Sequence, residues 1–379
     1  MSRIERVLIV GGGIGGLCTA IGLARAGIKA EIIEIKADWT VYGVGIIQPS
    51  NQLRALEELG LAKICVQRGA AFKGWEIYDD AGHLQMQMPT PNTSLSQYPP
   101  VNGIARPMLH EILMEKAAVS GVRVRLGLTV EDIEDGQDTV KVKLSNGAVE
   151  RYDFLIGADG TYSKVRALLF GEELKPVYNG LCVWRYNLER PSDMLWGSVH
   201  YGRKAKVGLV PMSSTLMYMF VVTPEPGNPR IPAQRLHAEM RSRIEGFTGL
   251  VANLKEQITD PAGVVRRPME PMLVPAPWHR ERVLLIGDAA HATTPQLAQG
   301  ASMAIEDAAL LAKLLPQDRP TSDLLAEFMH RRYARSELVV ETSRKLGEWE
   351  LAEFEGRPVA GANPAALMVE AGLKLAETY

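Results

Sequence analysis

The 379-residue chain has only three cysteines, Cys18, Cys65 and Cys182. They are odd in number and widely spaced, which excludes a disulfide framework, and no Cys-x-x-Cys pair offers zinc or dithiol chemistry. A reducing, cytoplasmic compartment is the expectation. A basic excess is also missing. Lys and Arg number 42 against 44 Asp and Glu, a formal net charge of −2. That balance argues against a nucleic-acid or anionic-membrane partner. There is no Gly-x-Ser-x-Gly, no Walker motif, no metal-ligand cluster, no repeat and no heptad array. Long apolar runs are scarce too. An uncharged glycine-rich stretch, Val7 to Ala24, follows Arg6 and imitates a signal peptide or a short membrane span. Six of its residues are glycine, five of them within six positions, which makes a poor apolar helix centre. No membrane span is expected.

What is present is ordinary globular composition, 46% hydrophobic and 23% charged, in a chain long enough for about two domains. Arg6–Val10 is a short β-branched run suited to a strand buried on both faces. Gly11, Gly13 and Gly16 then fill G-x-G-x-x-G, with Ile14 and Gly15 between them, and Leu17–Ala24 continues at helical spacing. The first glycine makes the tight turn, the second admits a pyrophosphate and the third lets helix and strand pack closely. The helix N-terminus offers its dipole and free N–H groups to phosphates. A second strand, Lys29–Glu34, ends on an acid 18 residues past Gly16, near the spacing that suits a ribose diol. This segment reads as a dinucleotide site for NAD or FAD. The competing reading is a glycine-rich turn with Glu34 a solvated strand end.

Two further motifs lie far downstream. Asp153–Arg166, through Gly157-Ala158-Asp159-Gly160, reads as strand, tight turn and helix start. Arg282–His291 reads as another buried strand ending in Gly287-Asp288, and Pro295–Ala304 opens a helix that runs through Glu306, Asp307 and Leu311. With these three motifs in this order, the chain resembles the class A FAD-dependent monooxygenases, the flavoprotein aromatic hydroxylases related to para-hydroxybenzoate, salicylate and urate hydroxylases. The resemblance runs from about residue 5 to about residue 335. It implies an α/β fold in which a Rossmann-like FAD-binding domain (1–70, 101–174 and 276–320) is interleaved with a mixed-sheet substrate domain (71–100 and 175–275), followed by a C-terminal helical segment (321–379).

The resemblance also assigns residues. It implies the first βαβ unit on the ADP half of FAD, Lys36 near the adenosine and Val130 at a backbone contact to adenine. It implies Gly45 in the flavin-face loop, Arg106 near the FAD, Asp159 shaping the pyrophosphate end and the Asp288 carboxylate on ribityl hydroxyls. Gly300, Ala301 and Ser302 open a helix whose N–H groups would stabilise the charge of reduced flavin. The family pattern there is Gly-Gln-Gly-x-Asn; this chain has Ala298 for a glycine and Ser302 for the asparagine. Bland alternatives stand beside these: Asp288 as a helix N-cap, Asp159 as turn chemistry, Arg106 as a surface arginine. His291 reads as structural rather than as a catalytic base. His83 and His200 fall in expected exposed turns or edges.

The implied reaction is NAD(P)H- and O2-dependent hydroxylation of a small aromatic or N-heteroaromatic molecule through a flavin C4a-hydroperoxide. No second G-x-G-x-x-G serves NAD(P)H, so the NADH or NADPH would visit transiently. Pocket candidates come from alternating strands. Tyr218 and Phe220 share a face, and Tyr218 matches a position that often carries a substrate-contacting tyrosine; a core tyrosine is the competing reading. Trp184 and Tyr186 share a face with Arg185 opposite, and core packing is their default. Lys206 could face an anionic substrate, though a solvated lysine is the more ordinary reading. Gln48 follows the flavin-face loop, and Pro295 would line the cavity from the other side. A monomer or homodimer is expected. Competing functions on the same fold are a prenyl-chain reductase, a halogenase and a non-catalytic FAD-binding redox protein.

Overall fold

The computed structural model describes residues 4–41, 43–92 and 97–379. Residues 93–96, in the polar loop expected between Pro89 and Pro100, lie outside the described residues.

The uncharged N-terminal stretch folds as strand, turn and helix: Arg6–Val10, then Ile14–Arg25. No helix among the described residues is long and apolar enough to cross a membrane. Arg6–Val10 lies inside a six-stranded sheet ordered His279–Arg280, Val283–Leu285, Phe154–Gly157, Arg6–Val10, Lys29–Glu34 and Arg123–Leu126. Every neighbouring pair is parallel except the first. Val7, Leu8 and Ile9 are fully buried, as a strand covered on both faces requires.

Two helices lie side by side on this sheet. A Cβ added to Gly15 would touch the Ala304 Cβ at 3.4 Å, and one added to Gly22 would clash with the Ala312 Cβ at 2.7 Å. The contacts advance in the same direction along both chains. The Ile14–Arg25 and Gly300–Leu314 helices are therefore parallel, and their N-termini emerge at the same end. Small residues bring the two axes together. The cradle depends on that approach.

The second large sheet has seven strands, ordered Val265–Pro268, Leu181–Glu189, Leu216–Pro224, Lys206–Pro211, Gly197–Tyr201, Gly74–Asp79 and Leu84–Pro89. Its outer face packs Trp184, Tyr186, Met217, Met219 and Leu209 against a helical layer. Between the two large sheets lies a three-stranded sheet of Gly45–Pro49, Val101–Ala105 and Ala70–Phe72. A Cβ on Gly103 would fall 1.9 Å from the Pro211 carbonyl oxygen, so backbone meets backbone where this small sheet docks on the large one. A fourth sheet, antiparallel, of Val130–Asp135, Val140–Leu144 and Val149–Tyr152, carries the expected hairpin turn, with Gly147 at φ 84°.

The expected helix near Asn51–Leu59 spans Ser50–Glu58, and that expected at 107–119 spans Arg106–Val119. The C-terminal segment is a 34-residue helix, Thr321–Phe354, followed by Pro364–Ala376. Two expectations fail here. His200 is buried, 4.7 Å from the Tyr78 ring and stacked on it, because alternation puts it on the covered outer face of the sheet, across from Val207. Lys206 is neither solvated nor free to meet a substrate: it is buried in an ion pair with Glu350 of the long C-terminal helix.

Candidate active site and cofactor cleft

The glycine-rich turn divides its labour as the motif requires. A Cβ on Gly11 would lie 2.4 Å from the Ala158 oxygen, and one on Gly16 would lie 2.0 Å from the Gly11 oxygen. Gly13 has nothing within 4 Å, so its backbone faces open space where a pyrophosphate fits. Glu34 ties the loop down. Its carboxylate accepts the Gly12 N–H at 2.8 Å and the Lys36 N–H at 3.0 Å. Lys36 itself is exposed. Trp39 supports the loop from below, donating to the Gly12 carbonyl at 3.0 Å, with the His110 ring edge-on at 5.3 Å. Neither residue is visible in the motif, and only the fold brings them there. Val130 is fully buried at the start of its strand.

Asp159 caps a helix. Its carboxylate accepts the Ser163 hydroxyl, the Lys164 N–H at 2.8 Å and the Val165 N–H at 3.1 Å. Arg166 then locks this turn to the Gly287-Asp288 turn. It donates to the Thr161 carbonyl at 2.9 Å and the Ala289 carbonyl at 3.0 Å. Gly287 sits at φ 58°, ψ −145°, a backbone that only glycine adopts readily. Its N–H is held by Asp307 at 3.0 Å, and the same carboxylate pairs with His291 at 2.7 Å and Arg332 at 2.7 Å. Glu306 beside it takes Arg332, Arg335 and Asn51. An acid pair inside an otherwise apolar helix was the sequence signal for this network.

Burial would raise the Asp307 carboxyl. The His291 and Arg332 charges outweigh it and hold the group at about 2. Asp288 differs. It is exposed to the cleft, and burial by its surroundings pushes its carboxyl up against the pull of His291 and Arg106. Arg106, also exposed to the cleft, feels the Asp288 charge, yet no hydrogen bond or ion pair joins them among the described residues. The two groups flank a gap. Gly43 lies flat on the Arg106 side chain, where a Cβ would meet its Cδ at 2.9 Å.

At the far end, the Gly300–Leu314 helix presents the N–H groups of Gly300 and Ala301, which have no partner within the helix. Ala298 takes the left-handed conformation, φ 55° and ψ 30°, so the turn keeps a glycine-like backbone with alanine in place. Asn51 and Gln299 exchange hydrogen bonds at 3.0 and 3.1 Å, fixing this turn to the helix after the flavin-face strand. The Ser302 side chain is a correction: it is fully buried and donates to Gln52 at 3.0 Å, so it does not reach the cleft. Pro295 opens a half-exposed turn in front of the helix.

The substrate-side candidates separate by face. Tyr218 lies against Gly45, where a Cβ would come within 2.2 Å of its ring, and 6.2 Å from Phe220. Phe220 covers Gly208. With Val44, Ile47, Val210 and Met212 they form an apolar cluster between the small sheet and the large one. Trp184 and Tyr186 are corrections. They point to the outer face, where Trp184 donates to Thr223 at 3.0 Å and the Tyr186 hydroxyl accepts from the Asp260 N–H at 3.3 Å. Their strand turns Arg185 inward instead. Gln48 is a third correction. It is fully buried, accepts from Asn102 at 2.7 Å and lies beside Cys65, so Ile47 is the inward residue of that strand.

The cleft fits FAD. An open glycine cradle, two helix N-termini at the same end of the sheet, Asp288 near Arg106 and the apolar cluster around Tyr218 are the kinds of group that FAD needs. The comparisons agree. The FAD binding domain family, FAD_binding_3, matches residues 5–343. The chain is 34% identical over 357 residues to 2-heptyl-3-hydroxy-4(1H)-quinolone synthase of Pseudomonas aeruginosa, covering 91% of this chain and 90% of that one. It is 30% identical over 376 residues to 3-hydroxybenzoate 6-hydroxylase of Klebsiella oxytoca, covering 92% and 89%. Among solved structures, a Klebsiella pneumoniae HpxO variant complexed with FAD superposes with a TM-score of 0.84 at 25% identity, covering 99% and 95%. The chain therefore belongs to the FAD-dependent monooxygenases of the flavoprotein aromatic hydroxylase family.

Proposed function

We infer that this enzyme hydroxylates a small aromatic or N-heteroaromatic molecule, taking electrons from NADH or NADPH. The observation that carries this reading is the Tyr218 phenol beside the flavin-face strand, whose hydroxyl has no partner among the described residues and whose ring packs with Phe220, Ile47 and Val210. Bound FAD supplies the redox chemistry: once reduced, it activates O2 so that one oxygen atom enters an electron-rich ring and the other leaves as water.

The chain's own residues do the rest. Burial pushes the Tyr218 phenol up to about 12, against the pull of the Arg185 charge. It therefore keeps its proton at neutral pH and cannot be the base. Its hydroxyl has no partner among the described residues and is free to donate to a substrate oxygen. A hydrogen bond to the substrate's oxyanion lowers the substrate's own pKa and favours the more nucleophilic form. The apolar walls exclude water, which limits wasteful peroxide release. The Gly300 and Ala301 N–H groups would hold the flavin end, Asp288 and Arg106 would hold the middle of the cofactor, and the Gly11–Gly16 turn with Glu34 would take the nucleotide end. The division into an interleaved FAD-binding domain and a substrate domain, with the boundaries given above, belongs to the same reading.

The test is NADH and NADPH oxidation by the FAD-loaded enzyme across phenols, hydroxypyridines and hydroxyquinolines, with peroxide release followed in parallel. Stimulation with product formation supports the reading. Absence of stimulation across all three classes defeats it.

A further inference from the structure

The glycine cluster holds one glycine that G-x-G-x-x-G does not call for. Gly12 fills an x position of the motif, and its backbone lies outside the left-handed region. The reason for it stands 27 residues away. A Cβ on Gly12 would lie 2.7 Å from the Trp39 Nε1 and 2.9 Å from its Cε2 and Cζ2. The indole occupies the place that a side chain on Gly12 would take.

Three groups then hold the Gly12 backbone. The Glu34 carboxylate accepts its N–H at 2.8 Å. The Trp39 indole N–H donates to its carbonyl at 3.0 Å, and the His110 Nε2 reaches the same oxygen at 3.4 Å. A carbonyl only accepts, so in that bond Nε2 carries the hydrogen. Burial holds the imidazole below its ordinary range, against the Gly12 bond, so His110 is an uncharged donor at neutral pH. The two rings also brace each other, with an angle of 83° between their planes. Glu34 ends a sheet strand and His110 is buried in the Arg106–Val119 helix, so two of the three anchors belong to regular elements.

A trans peptide is planar, and its C=O and N–H point in opposite directions. Holding the Gly12 carbonyl on Trp39 and His110 turns the Gly13 N–H the other way. That N–H has no partner among the described residues, and a side chain on Gly13 would meet nothing within 4 Å. Gly13 is also the N-cap of the Ile14–Arg25 helix, so the peptide aims its donor where the helix end favours an anion.

We propose that Trp39 and His110 are positioning residues for the FAD pyrophosphate: they fix the Gly12–Gly13 peptide so that the Gly13 N–H is aimed at the phosphates, and Gly12 is the seat that admits the indole. The proposal concerns cofactor capture and holds whatever substrate the enzyme takes.

Apoprotein of each variant is titrated with FAD, read by flavin fluorescence, and with ADP, which carries the pyrophosphate without the flavin, read by displacement of FAD. Trp39→Phe keeps a ring and removes the donor. Its Kd should rise about five- to tenfold for FAD and by the same factor for ADP, with the thermal midpoint of the apoprotein little changed. His110→Phe keeps the ring contact and loses the longer bond, so its rise should be smaller. Gly12→Ala displaces the indole and should cost at least as much as Trp39→Phe. Added to Trp39→Leu, where the methyl group has room, Gly12→Ala should cost little more. An unchanged FAD Kd in Trp39→Phe overturns the proposal. A rise confined to FAD overturns it too, because that places the effect at the flavin end. A rise matched by a fall in the apoprotein midpoint makes Trp39 a packing residue and overturns its positioning role. Equal costs of Gly12→Ala with and without the indole overturn the part given to Gly12.

Discussion

Two single residues put the proposed cofactor site to the test. Asp288 faces the cleft beside Arg106, with the Thr161 hydroxyl against its carboxyl. It caps nothing that needs its charge, because its short helix has no side-chain cap. Asp288→Ala should therefore purify folded but with most of its FAD lost, read as flavin absorbance per protein. Full occupancy would show that the ribityl contact lies elsewhere. Ala298 is the second. Holding an L-residue in the left-handed region costs about 1–2 kcal/mol, and glycine there gives back about 0.5–1 kcal/mol in unfolded-chain entropy. Ala298→Gly should stabilise the holoenzyme by roughly 0.5–1 kcal/mol in denaturant melts. Destabilisation would mean that the methyl group contributes packing that outweighs the strain.

The Gly300–Leu314 helix does two jobs. One end is the proposed flavin contact, and its interior carries Glu306 and Asp307 into a fully buried network with Arg332. Asp307 also holds the Gly287 N–H, so the helix positions the neighbouring turn. Removing one partner of a buried ion pair costs about 3–5 kcal/mol. Asp307→Asn should lose about that much stability and much of its FAD affinity. The pH sign follows from the depressed carboxyl, at about 2 in the fold against an ordinary 3.8. Its contribution is complete above 3.8 and is lost as pH falls toward about 2. The acid limb of the stability profile should therefore flatten in Asp307→Asn across that interval. An unchanged limb would place the acid sensitivity on other carboxylates.

At the scale of the whole molecule, Glu350 joins parts that are distant in sequence. It pairs with Lys206 of the seven-stranded sheet and accepts from Gln296 at 3.1 Å, in the turn just before the cofactor helix. The long C-terminal helix thus clamps the substrate sheet to the flavin end. Glu350→Ala leaves Lys206 buried without a counter-charge. Lys206→Met removes the charge along with the pair. The first should cost more stability than the second, by roughly 1–3 kcal/mol, and should also weaken FAD retention. Equal losses in thermal melts would show that Lys206 finds water when its partner is gone.

Much of the fold was legible because the glycine turn is a local device. Gly11, Gly13 and Gly16 act through backbone geometry that neighbouring residues set, and the strand before them and helix after them follow from short-range pattern. The period of two along Leu181–Glu189 was legible as well, since it separated Trp184 and Tyr186 from Arg185. Which face met the chamber was not, because alternation carries no sign: only packing of the outer face against its helical layer assigns one. Gln48 and Ile47 were exchanged for the same reason. Lys206 and Glu350 show the remaining limit. Each is an ordinary charged residue in its own segment, and their pairing across 144 positions exists only once the sheet and the long helix are packed. The sequence by itself determined the cofactor and the turns that hold it, since those depend on contiguous residues. The tertiary structure alone decided which side chains of the seven-stranded sheet face the small sheet, since that depends on which of two faces is covered by helices.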